Sequence, residues 1–552
     1  MRKAIFLSSL PTLLMTAACS SDSGAFGNSP DNEENTENSQ NENAANNESD
    51  ENEGLPKEEN ENNSTTEEEA QESWDPVTSY EQNLENVNYE TESSETISSI
   101  FPENYTNTEG VLTFRGNNLR DSPSYGQADV QDEELEVIWE KPTGRSEEWG
   151  GGAGWTGQPV IVNWDDDIQE NLALHEEKNS DDLVEVIQGS LDGSVYFLDL
   201  EDGSETRNPI DIGNPIKGSV SLDAAGTPLL YVGDGVPEGE SFGFRLFDLY
   251  TNEKLHFQTG RDDYAFREWA AFDSSALFNR EDDVLLTGGE NGLLYNVQLN
   301  TDHDAEAGEV SIDPDVKTSR YEADDHEYQG IESSLAAYKN LVYFADNSGT
   351  ITAYDTKTNE PAWMLPPLDD TDSTIVLEIE DGHPYLYTGS EVDNIGENGT
   401  SYLRKIDGLT GEEVWSTGYD AYYYPDVVGG VLATPVVGKE DIDDLVIFTV
   451  ARTTDVYEGT MTALDKETGE EVWTWEMEDY AWSSPAPLYQ EEGPTYLIQG
   501  DWQGNLHLIE AATGERKDTL DLGANIEASP AVYNDKIVLS TRADTIFGIE
   551  VK

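Results

Sequence analysis

Ala463-Leu464-Asp465-Lys466-Glu467-Thr468-Gly469-Glu470-Glu471-Val472-Trp473 is the stretch from which the architecture can be read. An aliphatic strand runs into an Asp, a Thr-Gly pair turns the chain, and a second strand leaves carrying a tryptophan. Glycine suits the turn because it enters φ > 0 without a Cβ penalty, as tight hairpins require. Asp355, Thr358, Asn359 and Trp363 repeat the pattern with asparagine in the glycine slot, and Asp407, Thr410, Gly411 and Trp415 repeat it again. Weaker copies stand at Asp199 with Asp202-Gly203, at Asp248 with Thr251-Asn252, and at Thr513-Gly514, whereas Asn296 to Thr301 hardly shows it. One copy alone is weak evidence, but recurrence about every fifty residues marks a propeller or solenoid.

Outward from the turns, each unit opens on a short run of small residues. These are Thr156-Gly-Gln-Pro159, Gly218-Ser-Val-Ser221, Asp273-Ser-Ser-Ala276, Glu332-Ser-Ser-Leu335, Asp372-Ser-Thr-Ile375, Ala433-Thr-Pro-Val436, Ser483-Ser-Pro-Ala486 and Ala528-Ser-Pro-Ala531. Eight openings imply eight units, and small residues fit where inner strands crowd a narrow channel. No long window carries the 3.6-residue apolar period of an amphipathic helix. The final unit, Ile526 to Lys552, has room for three strands, and the isolated run Leu135 to Glu140 has the look of the missing fourth. The expected fold is therefore all-β: an eight-bladed β-propeller of four-stranded blades over residues 101–552, its last blade closed by an N-terminal strand so that the ring has no free end. Trp139, Trp363, Trp415 and Trp473 are expected to dock blade on blade, each burying roughly 200 Å².

The A-x-D-x-x-T-G-x-x-x-W pattern resembles the repeat of the pyrroloquinoline-quinone (PQQ)-type, or quinoprotein, propellers. The lead-in Thr113-Phe-Arg-Gly-Asn117-Asn-Leu-Arg120 resembles a segment that precedes the propeller in related bacterial lipoproteins. The resemblance covers about residues 110 to 552. It implies two classes of function. One is a quinoprotein dehydrogenase oxidising an alcohol or sugar, with PQQ in the channel and Ca2+ beside it. Family enzymes of that class place a vicinal cysteine pair over the quinone and use Glu, Asn and Asp around the calcium, with an aspartate base. This chain's single cysteine is Cys19, and no carboxylate matches those roles position by position. The other class is a non-catalytic binding or scaffold module with no cofactor, similar in fold and anchoring to the lipoprotein propeller of the outer-membrane β-barrel assembly machinery.

Charge narrows the partners. With 115 acidic residues against 29 basic ones the formal charge is −86, which excludes nucleic acid and anionic membrane surfaces. Only about a fifth of the carboxylates lie between Ser20 and Ile100, so most of the excess sits on the folded part, as in proteins adapted to a saline or alkaline exterior. One cysteine permits no internal disulfide and no C-x-x-C site. H-E-x-x-H and P-loop motifs are absent, and no metal site is expected.

Residues 1–19 are a signal segment: Arg2 and Lys3, an apolar run from Ala4 to Leu14 too short to span a bilayer, and Thr16-Ala17-Ala18-Cys19. The segment resembles a lipoprotein signal in which Cys19 is lipidated, with Thr16 where leucine is usual; plain secretion with a free thiol is the other reading. Residues 20–100 are read as a disordered acidic tether. The protein is thus expected outside the cytoplasm, a monomer held to the membrane by its lipid alone, at the cell surface or facing the periplasm. Its partner is a protein or an envelope polymer.

Loops that enter the inner strands carry the candidate contact residues: Trp149 and Trp155; Arg261, Asp262, Tyr264, Arg267 and Trp269; Tyr423, Tyr424 and Asp426; Tyr480 and Trp482. Rings and scarce arginines converging there suit a flat or sugar-like ligand or a partner's loop. The competing reading is that the rings fill the channel and the arginines make ion pairs. Self-repulsion on this scale has a measurable consequence. The thermal midpoint of the purified protein is expected to rise between ~0.1 and ~1 M NaCl as the screening length falls from ~10 to ~3 Å. A flat or falling midpoint would show that the surface charge does not limit stability.

Overall fold

The computed structural model describes residues 74–81, 84, 87–91, 96–154, 156–180, 182–239, 241–323, 329–396, 399–423 and 428–552. The signal segment, Cys19 and tether residues 20–73 lie outside the described residues. The propeller's packed unit includes residues from Trp74 onward. Trp74 Nε1 donates to the Phe101 carbonyl at 2.9 Å, Val77 N–H to Asn340 Oδ1 at 2.7 Å and the Tyr80 hydroxyl to Asp355 at 2.9 Å. A few anchors spaced through polar sequence do this work.

The chain forms eight antiparallel blades around a channel. Blade 6 contains the motif quoted above and consists of Val436–Val437, Leu445–Ala451, Gly459–Asp465 and Glu471–Met477. Ala463 pairs with Trp473, and a register shift follows before Leu464 meets Glu471. Asp465 Oδ1 then accepts from the Thr468 amide at 2.8 Å, and Gly469 turns with φ 69°. Blade 8 closes across the termini: Leu135–Pro142 pairs antiparallel with Thr545–Val551. In blade 3 a hairpin, Asp302–Asp304 with Glu309–Ser311, is inserted between the third strand, Leu294–Gln298, and the fourth, Asp315–Ala323. That insertion explains why the repeat fades near Asn296.

Between blades, the fourth-strand tryptophan of one reaches the turn of the next. The indole N–H groups of Trp139, Trp363, Trp415 and Trp473 donate to the carbonyls of Leu200, Gly408, Lys466 and Ala511 at 2.8–3.0 Å. Each ring lies against the turn glycine of that next blade. A Cβ on Gly203, Gly411, Gly469 or Gly514 would stand 2.5–3.0 Å from the ring. The turns of blades 2 and 4 receive no tryptophan, because the fourth strands before them, Ile210–Asp211 and Asp315–Ala323, carry none. There the same slot holds Asn252 and Asn359, at φ 59° and 53°. Positive φ alone therefore admits asparagine, and it is the ring that demands glycine.

Around the channel the eight openings quoted above mostly precede the ladder residues and bond blade to blade. Backbone N–H groups of Gln158, Ser275, Ser334, Thr374, Thr434 and Ser484 donate to the hydroxyls of Ser219, Ser334, Thr374, Thr434, Ser484 and Ser529 at 3.0–3.2 Å. A Ser221–Ser275 hydroxyl pair at 2.8 Å links blades 2 and 3, and Ser529 N–H to the Thr156 carbonyl at 2.8 Å links blades 8 and 1. All eight junctions are thereby bonded.

The lead-in fills the channel below this ring. Glu109–Val111 pairs with blade 1 and Ser124–Tyr125 runs parallel to blade 8. Between them Leu112 and Leu119 accept backbone bonds from blades 2 and 5. Arg120 donates to the carbonyls of Ser275 and Leu335, and Arg115 to those of Pro435 and Pro485. Both arginines are 0–1% exposed, and burial lowers their pKa values to about 9 and about 10.

The ring–glycine coupling is testable. Gly469→Asn keeps a residue that tolerates φ > 0 yet drives a Cβ into Trp415, and is expected to cost ~1–3 kcal/mol by urea titration, as overpacking does. Asn359→Gly should stay within ~1 kcal/mol. In the Trp415→Ala background Gly469→Asn should cost far less, and an additive double mutant would refute the coupling.

Candidate functional site

Two residues ahead of each ring position, where the inner strands begin, a second circle of side chains surrounds the channel mouth. From blade 2 to blade 5 these are Lys217, Asp273, Glu332 and Asp372; Leu432 and Trp482 follow on blades 6 and 7, then Glu527 and Thr156. Turns between second and third strands add Glu290 and Glu391 on the charged side, Arg452 and Trp502 on the aromatic side, and Arg542 beyond them.

On the charged side Lys217 Nζ lies 2.5 Å from Asp273 and 3.1 Å from Glu332. Asn347 donates to Glu332 at 3.1 Å and accepts from Arg267 at 2.7 Å. Burial pushes Asp273 up to about 7 against the pull of Lys217, and raises Glu290 well above the carboxylate range, helped by Glu332 and Asp273. Lys217 is held well above its ordinary value because the surrounding carboxylates outweigh the burial that would lower it. Asp370 and Asp372 are raised by burial first and then by neighbouring carboxylates.

On the aromatic side Tyr480 stacks on Trp502 at 5.0 Å, Trp482 meets Trp502 edge-on at 6.0 Å, and Arg452 sits 4.2 Å over the Tyr480 ring. Arg542 pairs with Glu527 at 2.6 Å and donates to the Trp149 carbonyl at 2.8 Å. The remaining loop candidates are more dispersed. Arg261 is exposed, 5.9 Å from the Phe242 ring, against which Trp269 also packs. Asp262 caps its own turn by accepting from the Tyr264 amide, and Tyr264 lies under Arg320 at 4.1 Å. Tyr423 is half-buried. Trp155, Tyr424 and Asp426 lie outside the described residues.

Outside the mouth the same loops expose apolar side chains. Of the eight large exposed hydrophobics among the described residues, Phe266, Leu368, Ile395, Tyr422 and Tyr457 all sit on this face. The sequence reading singled out the rings and arginines but missed the carboxylates. Asp273, Glu332 and Asp372 head three of the eight openings, so the signal was their shared offset from the hydroxyl position.

The chain is an all-β, eight-bladed propeller. Residues 457–552 match the family model described as outer membrane protein assembly factor BamB. The factor of that name from Kangiella koreensis is 33% identical over 93 residues, which are 17% of this chain and 23% of that protein. Among solved structures, quinohemoprotein alcohol dehydrogenase ADHIIG from Pseudomonas putida HK5 superposes over 80% of each chain with a TM-score of 0.52 at 13% identity. BamB from Moraxella catarrhalis aligns with 71% of this chain and 98% of its own at 16% identity, with a TM-score of 0.44. At such identities the structural likeness is one of fold.

Asp346, in the blade-4 turn beside Asn347, offers a clean titration. It is 1% exposed, accepts from the Tyr321 hydroxyl at 2.8 Å, and burial pushes its pKa up to about 7. Because the folded carboxyl holds its proton where the unfolded one has lost it, its contribution to stability falls as pH rises from ~4 to ~7 and is level above. Asp346→Asn should therefore gain stability over wild type at pH 8 relative to pH 4, by as much as ~4 kcal/mol. Equal differences at the two pH values in denaturant titrations would remove the raised pKa from the account.

Proposed function

We propose that this propeller is a non-catalytic docking module that receives a basic segment of a partner protein at its channel mouth, standing off the outer side of a membrane on a lipid at Cys19. The observation that carries this reading is the juxtaposition of a carboxylate-lined mouth with a rim of exposed apolar residues. Several large apolar side chains exposed on one face support a protein-binding role for it, and the carboxylates select a cationic occupant. The resemblance of residues 457–552 to an outer membrane protein assembly factor supports the same class of role, a scaffold that brings other envelope proteins together.

PQQ fits this mouth poorly. It is a tricarboxylate, and the acidic side chains of Asp273, Glu290, Glu332, Asp370, Asp372 and Glu391 outnumber the lysine and arginine side chains at the mouth that could hold it; Cys19 supplies no vicinal pair. The chemistry of the donor set favours a cation over a planar anion.

The test is photocrosslinking in the native cells from a benzoylphenylalanine at Tyr422 or Tyr457 of the full chain, with Thr106 on the opposite face as control. A discrete adduct with one polypeptide at the mouth, lost when Phe266 and Ile395 are changed to Asp, is the expected result. Adducts at Thr106 alone, or turnover of an alcohol by the purified protein with an artificial electron acceptor, would overturn the reading.

A further inference from the structure

Two groups of buried carboxylates face the mouth, and their charge balance differs. In the group Asp273, Glu290 and Glu332 a cation is built in, since Lys217 bridges Asp273 and Glu332. The second group is Asp370, Asp372 and Glu391, each bringing one carboxylate oxygen within 4.8 Å of the others. Asp370 and Asp372 are only 7% and 8% exposed, and the Oδ1 atom of each is buried with no hydrogen-bond partner. Among the described residues, no lysine, arginine or histidine forms an ion pair with Asp370 or Asp372. Asp372 shares a side-chain hydrogen bond with Glu391, and the buried Oδ1 atoms of Asp370 and Asp372 that remain without a partner are a standing cost that a bound cation relieves.

We infer that Asp370, Asp372 and Glu391 form a divalent-cation site, with Ca2+ as the ion that fits best. All three donors are carboxylate oxygens, with no imidazole or thiolate, which selects a hard ion over zinc or copper. A buried cluster of protein oxygens suits Ca2+, which accepts about 6–8 oxygen ligands in flexible geometry, better than Mg2+, which gives up its waters reluctantly. The site asks for no quinone. It also has a support: Asp369 accepts from the amides of Asp393 and Asn394 at 3.1 and 2.8 Å, so the loop before blade 5 is already laced to the turn that carries Glu391. An ion there fixes the two loops that present Leu368 and Ile395.

The experiment is calorimetric titration of chelator-treated full-length protein with CaCl2, MgCl2 and MnCl2 in ~1 M NaCl, where screening suppresses loose ion binding to the acidic surface. Thermal unfolding is followed in parallel. One saturable Ca2+ per chain is expected, with a rise in midpoint that grows with Ca2+ concentration. Asp370→Asn with Asp372→Asn should weaken that binding at least ~10-fold while raising the midpoint of the metal-free protein, because it removes the repulsion. Glu391→Gln repeats the test should the double variant fail to fold. No saturable binding of any of the three ions, or titrations unchanged in both variants, would overturn the site; saturation by Mg2+ alone would overturn its assignment to calcium.

Discussion

The structure depends on how the inner strands dispose of their open edges. Within its blade a first strand has a ladder partner on one side only, so its other edge faces the channel, and eight such edges converge where water has little room. Buried backbone groups cannot be left unpaired. Two devices answer this. Hydroxyls at one position of each opening, with a hydroxyl pair and a backbone bond at the remaining junctions, link every blade to the next. Below them Arg115 and Arg120 spread their guanidinium donors over carbonyls of blades 3, 4, 6 and 7. Arginine suits that task because its planar fork offers five donors and cannot readily lose its charge. Both residues also adopt positive φ, 58° and 62°, a local strain that the surrounding bonds hold in place.

That arrangement makes the lead-in part of the fold rather than an appendage. It enters beside blade 1 and leaves beside blade 8, touching every blade on the way. The ring is therefore held at three radii: by the lead-in at the axis, by hydroxyls at the inner strands, and by tryptophans at the outer turns. The outer contact is the least uniform. Blades without a fourth-strand tryptophan pass no ring to their neighbour, and there the turn relaxes from glycine to asparagine.

This explains what the sequence disclosed. Turns and tryptophans repeat because each obeys a local rule, a left-handed residue four positions after an Asp or Glu and an indole that must meet it, so blade number, closure by Leu135–Pro142 and the fold class were legible. The lead-in occurs once, and its two arginines reach carbonyls 155 to 370 residues away, so no local pattern could reveal its place. The candidate site falls between these cases. Tyr480, Trp482 and Arg267 were conspicuous as rare residues in loops. Asp273, Glu332 and Asp372 were hidden by abundance, since a carboxylate in a chain of 115 carries no statistical signal. Only their common offset from the hydroxyl ring separates them from the rest.

Position, then, divides the acidity into two kinds. Carboxylates on the outer surface are hydrated, and their mutual repulsion is long-ranged and yields to salt. Those at the mouth have lost water on entering the fold, and salt screens buried charges much less. Adaptation of a surface to salt would bear on the first kind only, because it does not require burying charge. Lys217 shows how the buried kind can be relieved: Glu332 is held below the usual carboxylate range despite its burial, while burial still drives up Asp273 and Glu290 in the same group, as it does Asp370 and Asp372. The mouth is therefore an electrostatic site whose positive half is only partly encoded in the chain.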